Sequence, residues 1–430
     1  MTGNSAAKAG SSQQVIIIGG GLIGIATLYE LSRRGIGAVL IEAENELAKE
    51  TSFANGGMMT PSQSEPWNGP GVERHLVSSL FFPGAAMKLH WQQIPSLTSW
   101  GLQFLRNSWA DKYPKAAQSN FALAAYSAAK TADILQQYQP DIDQSNNGSL
   151  KIFDSKNNFK KSLLTTDVIA KLGISYVELT AEEVIKKEPQ LHEAKNWIKG
   201  GIYFADDSVA DARKFALFLS ELAIKAGGEI KTSVRVGDFI SENGKVVGVQ
   251  TDHGDFQGAV ILCAGSPSAA LAVNVGLKLP IKPVKGYTIT LDAAHLKSQM
   301  PKMPVIDEAK HIAIVPIGQK IRIAGMAEFA GFDHSLPKNR LQQLKQLCAR
   351  IYPDLSSQFD WETAVNWSGL RPMSADGVPF VGAAPLDGLW LNCGHGHLGW
   401  TMALGSACLL ADMMTGDKPD IDPLAYRYGR

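Results

Sequence analysis

The sequence predicts an α/β fold in which a three-layer unit on a parallel sheet is interleaved with a second, α+β unit. Three observations predict it. The β-branched run Val15-Ile16-Ile17-Ile18 leads through a glycine turn into a helix and then a second apolar strand, a βαβ unit within about 30 residues. Alternating strand patterns return only much later in the chain. Finally, 430 residues exceed one core, at roughly 100–200 residues per domain. No linker, repeat or low-complexity tract separates the units, so the chain is expected to cross between them several times.

The helix after the first strand runs from about Leu22 to Arg34, where Gly35 ends it. Ala38 to Ile41 forms the second strand and finishes at Glu42. Phe121, Ala125, Ala128, Ala132 and Leu135 recur at helical spacing. Thr180 with Glu183 reads as a capping box, and Asp211 caps a helix carrying Phe215, Leu219 and Leu222 on one face. Strands are expected at Ile230 to Val236, Val246 to Thr251 and Phe256 to Cys263, the first two joined through Asn243-Gly244. Further strands read at Tyr287 to Leu291, Ile312 to Pro316 and Lys320 to Ala324, with a helix from about Lys338 to Ile351.

Composition narrows the function. The 41 basic residues balance 41 acidic ones, so there is no electrostatic footprint for nucleic acid. Cys263, Cys348, Cys393 and Cys408 are far apart and form no C-x-x-C pair, which suits reduced thiols in a cytoplasmic chain. Met1 to Gln14 lacks an apolar core and does not read as a secretory signal. The uncharged runs Phe256 to Leu277 and Gly388 to Ala411 are broken by Ser266-Pro267-Ser268 and by a glycine-histidine cluster, so neither reads as a membrane span.

Gly19-x-Gly21-x-x-Gly24 lies between a strand and a helix, and Glu42 ends the next strand, 21 residues beyond Gly21. This is the fingerprint of a dinucleotide site. Glycines let backbone amides, including those of Leu22 and Ile23, approach a pyrophosphate at a helix N-terminus. Glu42, with Ala43 beside it, can accept both ribose hydroxyls. The loop alone does not choose between NAD and FAD.

Two later segments favour FAD. Thr51-Ser52-Phe53-Ala54-Asn55-Gly56-Gly57-Met58 is rich in small hydroxyl and glycine residues and can wrap a long cofactor. Gly394-His395-Gly396-His397-Leu398-Gly399-Trp400-Thr401 opens a helix that runs to about Met414. A second glycine-rich helix N-terminus suits a flavin, whose reduced form carries negative charge; a nicotinamide has no such need.

Together these residues resemble the D-amino-acid oxidase and glycine oxidase superfamily of flavoproteins, and within it the bacterial D-amino-acid dehydrogenases (small subunit). Further matching segments are Pro66-Trp67, Pro283-Val284-Lys285-Gly286-Tyr287, Gly325-Met326-Ala327-Glu328 and Gly369-Leu370-Arg371-Pro372-Met373. They keep the family's order from about Val15 to Gly416. The resemblance implies a discontinuous Rossmann-like FAD-binding domain, residues 13–80, 196–280 and 366–430, and an antiparallel-sheet substrate domain, residues 81–195 and 281–365. It puts Val236 on the adenine and Ala264-Gly265 near the pyrophosphate. It gives Arg371 the substrate carboxylate and Tyr287 the wall of the same site. Gly57-Met58-Met59 and the stretch Phe204 to Asp211 depart from the family pattern.

Arg371 suits its role because a planar guanidinium pairs bidentately with a carboxylate. His395 and His397 lack acid or cysteine partners at metal spacing, so no metal site is expected. Met58, Met59 and Trp67 read as core filler before pocket wall, Cys393 as a buried thiol before a covalent flavin link. The role of Glu328 stays open. The apolar stretch Leu76 to Leu89, with Phe81 and Phe82, suits burial first, or contact with a membrane or quinone.

The expected activity is oxidative deamination of an amino acid, in the D form by resemblance, with the Cα hydrogen passing as hydride to flavin N5 and the electrons going to a quinone or other non-oxygen acceptor. An oxygen-using oxidase, a non-catalytic flavin-binding protein and an NAD-dependent dehydrogenase remain as alternatives. The expected location is cytoplasmic, with peripheral contact at the inner face of the bacterial membrane.

Overall fold

A computed structural model describes residues 14–69, 71–72 and 86–430. Val15–Ile18 lies at the centre of a six-stranded sheet, ordered Phe380–Ala383, Leu389–Cys393, Ala259–Leu262, Val15–Ile18, Ala38–Ile41 and Glu229–Lys231. All neighbours run parallel except the edge pair Phe380–Ala383 and Leu389–Cys393. The alternation of the strands fills both faces. Val15, Ile17 and Leu40 pack against helices Leu22–Arg33, Ala212–Lys225 and Gly399–Thr415. Ile16, Ile18, Val39 and Ile41 pack against Phe239, Val246 and Val249 of a three-stranded antiparallel sheet. Each fully buried Ile or Leu contributes on the order of 2–3 kcal/mol.

Local signals act as expected at several element ends. Thr180 and Glu183 form a reciprocal capping box on Ala181–Lys187, and Asp211 accepts from the amides of Arg213 and Lys214. Gly416, at a φ of 77°, ends Gly399–Thr415. Asn243 and Gly244, at φ of 49° and 77°, turn the hairpin between Val236–Glu242 and Lys245–Thr251, the conformation that hairpin turns favour.

Two strand expectations need correction. The run Ile230 to Val236 is two strands in different sheets, Glu229–Lys231 and Val236–Glu242, with Ser233 at a φ of 56° between them. Phe256 to Cys263 also divides, at Gly258, where a Cβ would lie 1.9 Å from the Gln14 carbonyl. The apolar run is continuous, but this close approach forces the break.

The second sheet has nine strands. Its main order is Val365–Ser374, Ile281–Asp292, Lys320–Phe329, Ile312–Ile317, Val305–Asp307, Ser149–Phe153, Gly200–Phe204 and Val177–Leu179, with Met87–Leu89 pairing alongside Lys320–Phe329. Most pairs are antiparallel, but 305–307 with 149–153 and 87–89 with 327–329 run parallel. Gly200–Phe204 and Val365–Ser374 belong to this sheet, although the expected ranges gave residues 200–204 and most of 365–374 to the cofactor domain. Helix Lys338–Ile351 covers one face through Leu344, Cys348 and Ile351. The other face looks into a cavity against the first sheet. Of the apolar stretch 76–89, residues 76–85 lie outside the described residues; Met87 packs beside Val284 and Phe329.

Candidate flavin and substrate site

A cavity of about 1300 Å³ runs between the two sheets, larger than a single small ligand needs. At one end lies the glycine turn. Gly19 has a φ of 112°, and a Cβ there would come within 2.7 Å of the Cys263 carbonyl. A Cβ on Gly24 would lie 1.9 Å from the Gly19 carbonyl, so Gly24 lets the helix pack on the turn and does not face the cavity. Gly21 differs, because a Cβ there meets only Ser52 Oγ at 3.6 Å. It heads the helix without a side-chain cap, and only Leu22 donates to a side chain, Ser52 Oγ at 3.1 Å. With Ile23, Ala264 and Gly265 around it, this turn is a seat for a pyrophosphate.

Glu42, Ala43 and Val236 line the cavity beyond the turn. One Glu42 oxygen accepts from the Gly20 amide at 2.5 Å and the other from the Glu44 amide at 2.7 Å. The carboxylate is thereby aimed, and each oxygen keeps acceptor capacity for a ribose hydroxyl.

Asn55, Gly56, Gly57 and Met58 line the middle of the cavity, with Gly394, His395, Gly396, His397, Leu398 and Gly399 opposite. Asn55 Oδ1 accepts from the Gly57 amide at 2.9 Å, and Gly57, at a φ of 69°, would press a Cβ to 2.5 Å from Ile317. Helix Gly399–Thr415 has neither a side-chain cap nor an acid in its first turn, so its N-terminus faces the cavity as a positive pole. Burial holds His395 and His397 as neutral imidazoles, with pKa values lowered to about 3. Two expected cofactor residues act from behind. Thr51 Oγ donates to the Leu370 carbonyl at 2.9 Å, although its chain lines the cavity. Thr401 is buried off the cavity and accepts from the Thr60 amide at 3.1 Å.

Arg371 stands at the substrate end. Its strand neighbour Gly286 is why it can lie flat, since a Cβ there would meet both terminal nitrogens at 2.4 Å. One terminal nitrogen donates to the Met326 carbonyl at 3.0 Å, and the guanidinium sits 5.5 Å from the Trp67 ring. Met326 holds a φ of 65° beside a register shift between strands 281–292 and 320–329, which turns its carbonyl to this task. Among the described residues no carboxylate pairs with Arg371, and burial alone lowers its pKa to about 10. A half-buried cation in this position can bind a carboxylate.

Tyr287 lines the same cavity as Arg371, but its side chain does not stand beside the guanidinium. Arg371 pairs with Val284 across the strands, so Tyr287 belongs to the opposite face of the sheet, where its ring packs with Ile289 and Leu291 near the Lys285 ammonium. Strand alternation is the reason, since residues 284 and 287 cannot share a face of a regular strand. Trp67 does both: it packs against the core cluster of Trp100, Val284 and Phe329, and it stacks on His397 at 5.0 Å and lines the cavity. Cys393 is a buried thiol whose pKa burial raises to about 12. Glu328 is buried between His90, at 2.9 Å, and Arg340, tying strand 87–89 to helix 338–351.

The sequence reading passed over three parts of this wall. Gly286 sits inside a strand, where a glycine signals a close approach. Lys285 Nζ holds Asp333 at 2.8 Å and Ser335 at 3.2 Å, and so fixes the loop that carries Phe332 and His334 to the cavity. No local signal reveals that pairing. Glu65 also lines the cavity.

A cavity with two helix N-termini free of side-chain caps, an aimed acceptor for a ribose and an arginine on its wall suits a flavin-dependent oxidoreductase. The residues present fit FAD along its length. Residues 14–413 match the family described as FAD dependent oxidoreductase, and the chain belongs to that family. It is 34% identical over 410 residues to the D-amino acid dehydrogenase of Cereibacter sphaeroides, covering 95% of this chain and 93% of that one. It is also 34% identical to the D-amino acid dehydrogenase of Rhizobium rhizogenes, covering 97% and 100% of the two chains. Its fold is similar to glycine oxidase from Geobacillus kaustophilus, with a TM-score of 0.76 at 24% identity over 97% of this chain and 99% of that one.

Proposed function

We propose that this chain oxidatively deaminates D-amino acids and delivers the electrons to a quinone. The carrying observation is Arg371: half-buried, without a counter-ion among the described residues, and on the wall of a cavity that FAD also fits. Bound FAD supplies the two-electron acceptor for hydrogen leaving Cα. The chain does the rest. Arg371 takes the substrate carboxylate, Gly286 keeps the guanidinium flat, and the Met326 carbonyl fixes its rotation. Trp67 lies beside the guanidinium, and the N-terminus of Gly399–Thr415 favours negative charge there. Neutral His395 and His397 add no competing positive charge. The amine loses its proton before the reaction, so no protein base is needed, and the imino acid released takes up water to give a 2-oxo acid and ammonia.

The D-amino acid dehydrogenases at 34% identity support the D enantiomer. Contact with the inner face of the cytoplasmic membrane, where a quinone resides, is supported by exposed apolar side chains around helix Ile94–Asn107. These are Trp91 at 75%, Leu102 at 65% and Trp109 at 61% exposure. No helix among the described residues is long and apolar enough to cross a membrane.

Anaerobic mixing with both enantiomers of an amino-acid panel tests the reading. Rapid loss of the yellow flavin colour with D-amino acids is expected. If no amino acid bleaches the flavin, the reading fails; steady peroxide release in air would replace the quinone with oxygen.

A further inference from the structure

Arg371 and Glu65 both line the cavity, and among the described residues neither stands in an ion pair. They belong to one wall segment, since the Trp67 ring two residues from Glu65 sits 5.5 Å from the Arg371 guanidinium. Beyond Glu65 the cavity is lined by Tyr113, Lys151, Glu308 and His311. Lys151 is buried and engaged by Glu308 at 3.1 Å. Lys151 is thus bonded to Glu308, and Glu65 feels its charge without an ion pair to it among the described residues. Lys161 stands only at the solvent-exposed edge. Burial pushes the Glu65 carboxyl up, while nearby Lys151 draws it down. A second cation would complete the balance.

The reach is suitable. Arg371 is anchored on the carbonyl of Met326, in strand 320–329, and Glu308 follows strand 305–307, two places along the sheet. Two strand spacings come to about 10 Å between those strands, which is the length scale of an extended amino acid with a carboxylate at one end and an ammonium at the other.

We propose that Glu65 receives the cationic end of the substrate side chain, so that D-lysine and similar basic amino acids are preferred over neutral isosteres. This rests on the deamination reading above. Glu65 is then a specificity residue of the same cavity, and an anionic side chain is excluded because Lys151 is already held by Glu308.

The test compares kcat/KM for D-lysine, D-norleucine and D-glutamate in the holoenzyme and in Glu65→Gln and Glu65→Lys. The wild type should favour D-lysine over D-norleucine and react least with D-glutamate. The lysine-to-norleucine ratio should fall by about tenfold or more in Glu65→Gln, the size of one charge-assisted hydrogen bond. Glu65→Lys should reverse the order of lysine and glutamate. A wild type that favours norleucine overturns the proposal whether or not the variants fold. A ratio unmoved in well-folded variants overturns it too. If norleucine bleaches the flavin and lysine shows no advantage, only this inference fails; if neither bleaches it, the deamination reading fails.

Discussion

Replacing Arg371 by Met should abolish most activity while leaving the fold as stable or more so. The guanidinium can give a carboxylate two charge-assisted hydrogen bonds, each worth about 1.5–3 kcal/mol. Losing both lowers kcat/KM by roughly 10²–10⁴, at about 1.4 kcal/mol per factor of ten. Stability moves the other way. Burial lowers the pKa from its usual 12.5 to about 10, which corresponds to a cost on the order of 3 kcal/mol for keeping the cation in the fold. Met removes that cost and leaves the Met326 carbonyl without its donor, an offset of about 1 kcal/mol. Because the folded pKa lies below the unfolded one, the cost is present throughout the range below about pH 10. The gain in Tm should therefore be level between pH 6 and 9. Flavin bleaching under anaerobic conditions gives the first quantity and thermal unfolding of the holoenzyme the second. Kinetics within threefold of wild type would refute the carboxylate role, and a lowered Tm would refute the argument from burial.

Gly286→Ala should displace the guanidinium, whose terminal nitrogens lie 2.4 Å from the new Cβ, and raise KM well before it affects Tm; an unchanged KM counts against the flat arginine. Gly21→Ala should fold and lose flavin affinity, whereas Gly24→Ala, with its Cβ 1.9 Å from the Gly19 carbonyl, should destabilise the chain itself. Flavin content and unfolding of the cofactor-free protein separate the two. His395 and His397 titrate near 3 when folded, against 6.5 unfolded, so each costs about 1.4 kcal/mol of stability per pH unit as pH falls from about 6.5 toward 3. His395→Gln should flatten that decline, measured by urea unfolding at pH 7, 6 and 5.

The cofactor end was legible because its chemistry is local. A strand, a glycine turn, a helix and an acid at the next strand's end are neighbours in the chain, and Gly19, Gly21, Leu22 and Glu42 stand where that order requires. Arg371 was legible through its segment. Tyr287 was not, because its face depends on pairing with Arg371's strand 84 residues away. Trp67 was only half legible, for a related reason. An aromatic next to proline carries no sign of whether His397 or a core will meet it.

What the sequence determined by itself is the parallel sheet, its two glycine-rich helix starts and the class of cofactor they hold, because these follow from backbone access and helix dipoles over short spans. What only the tertiary structure decided is the substrate wall: Arg371 lying on Gly286, Met326 turned by a register shift, and Glu65 near a lysine that Glu308 holds. Those relations join residues far apart in the chain, and the packing of one sheet against the other brings them together.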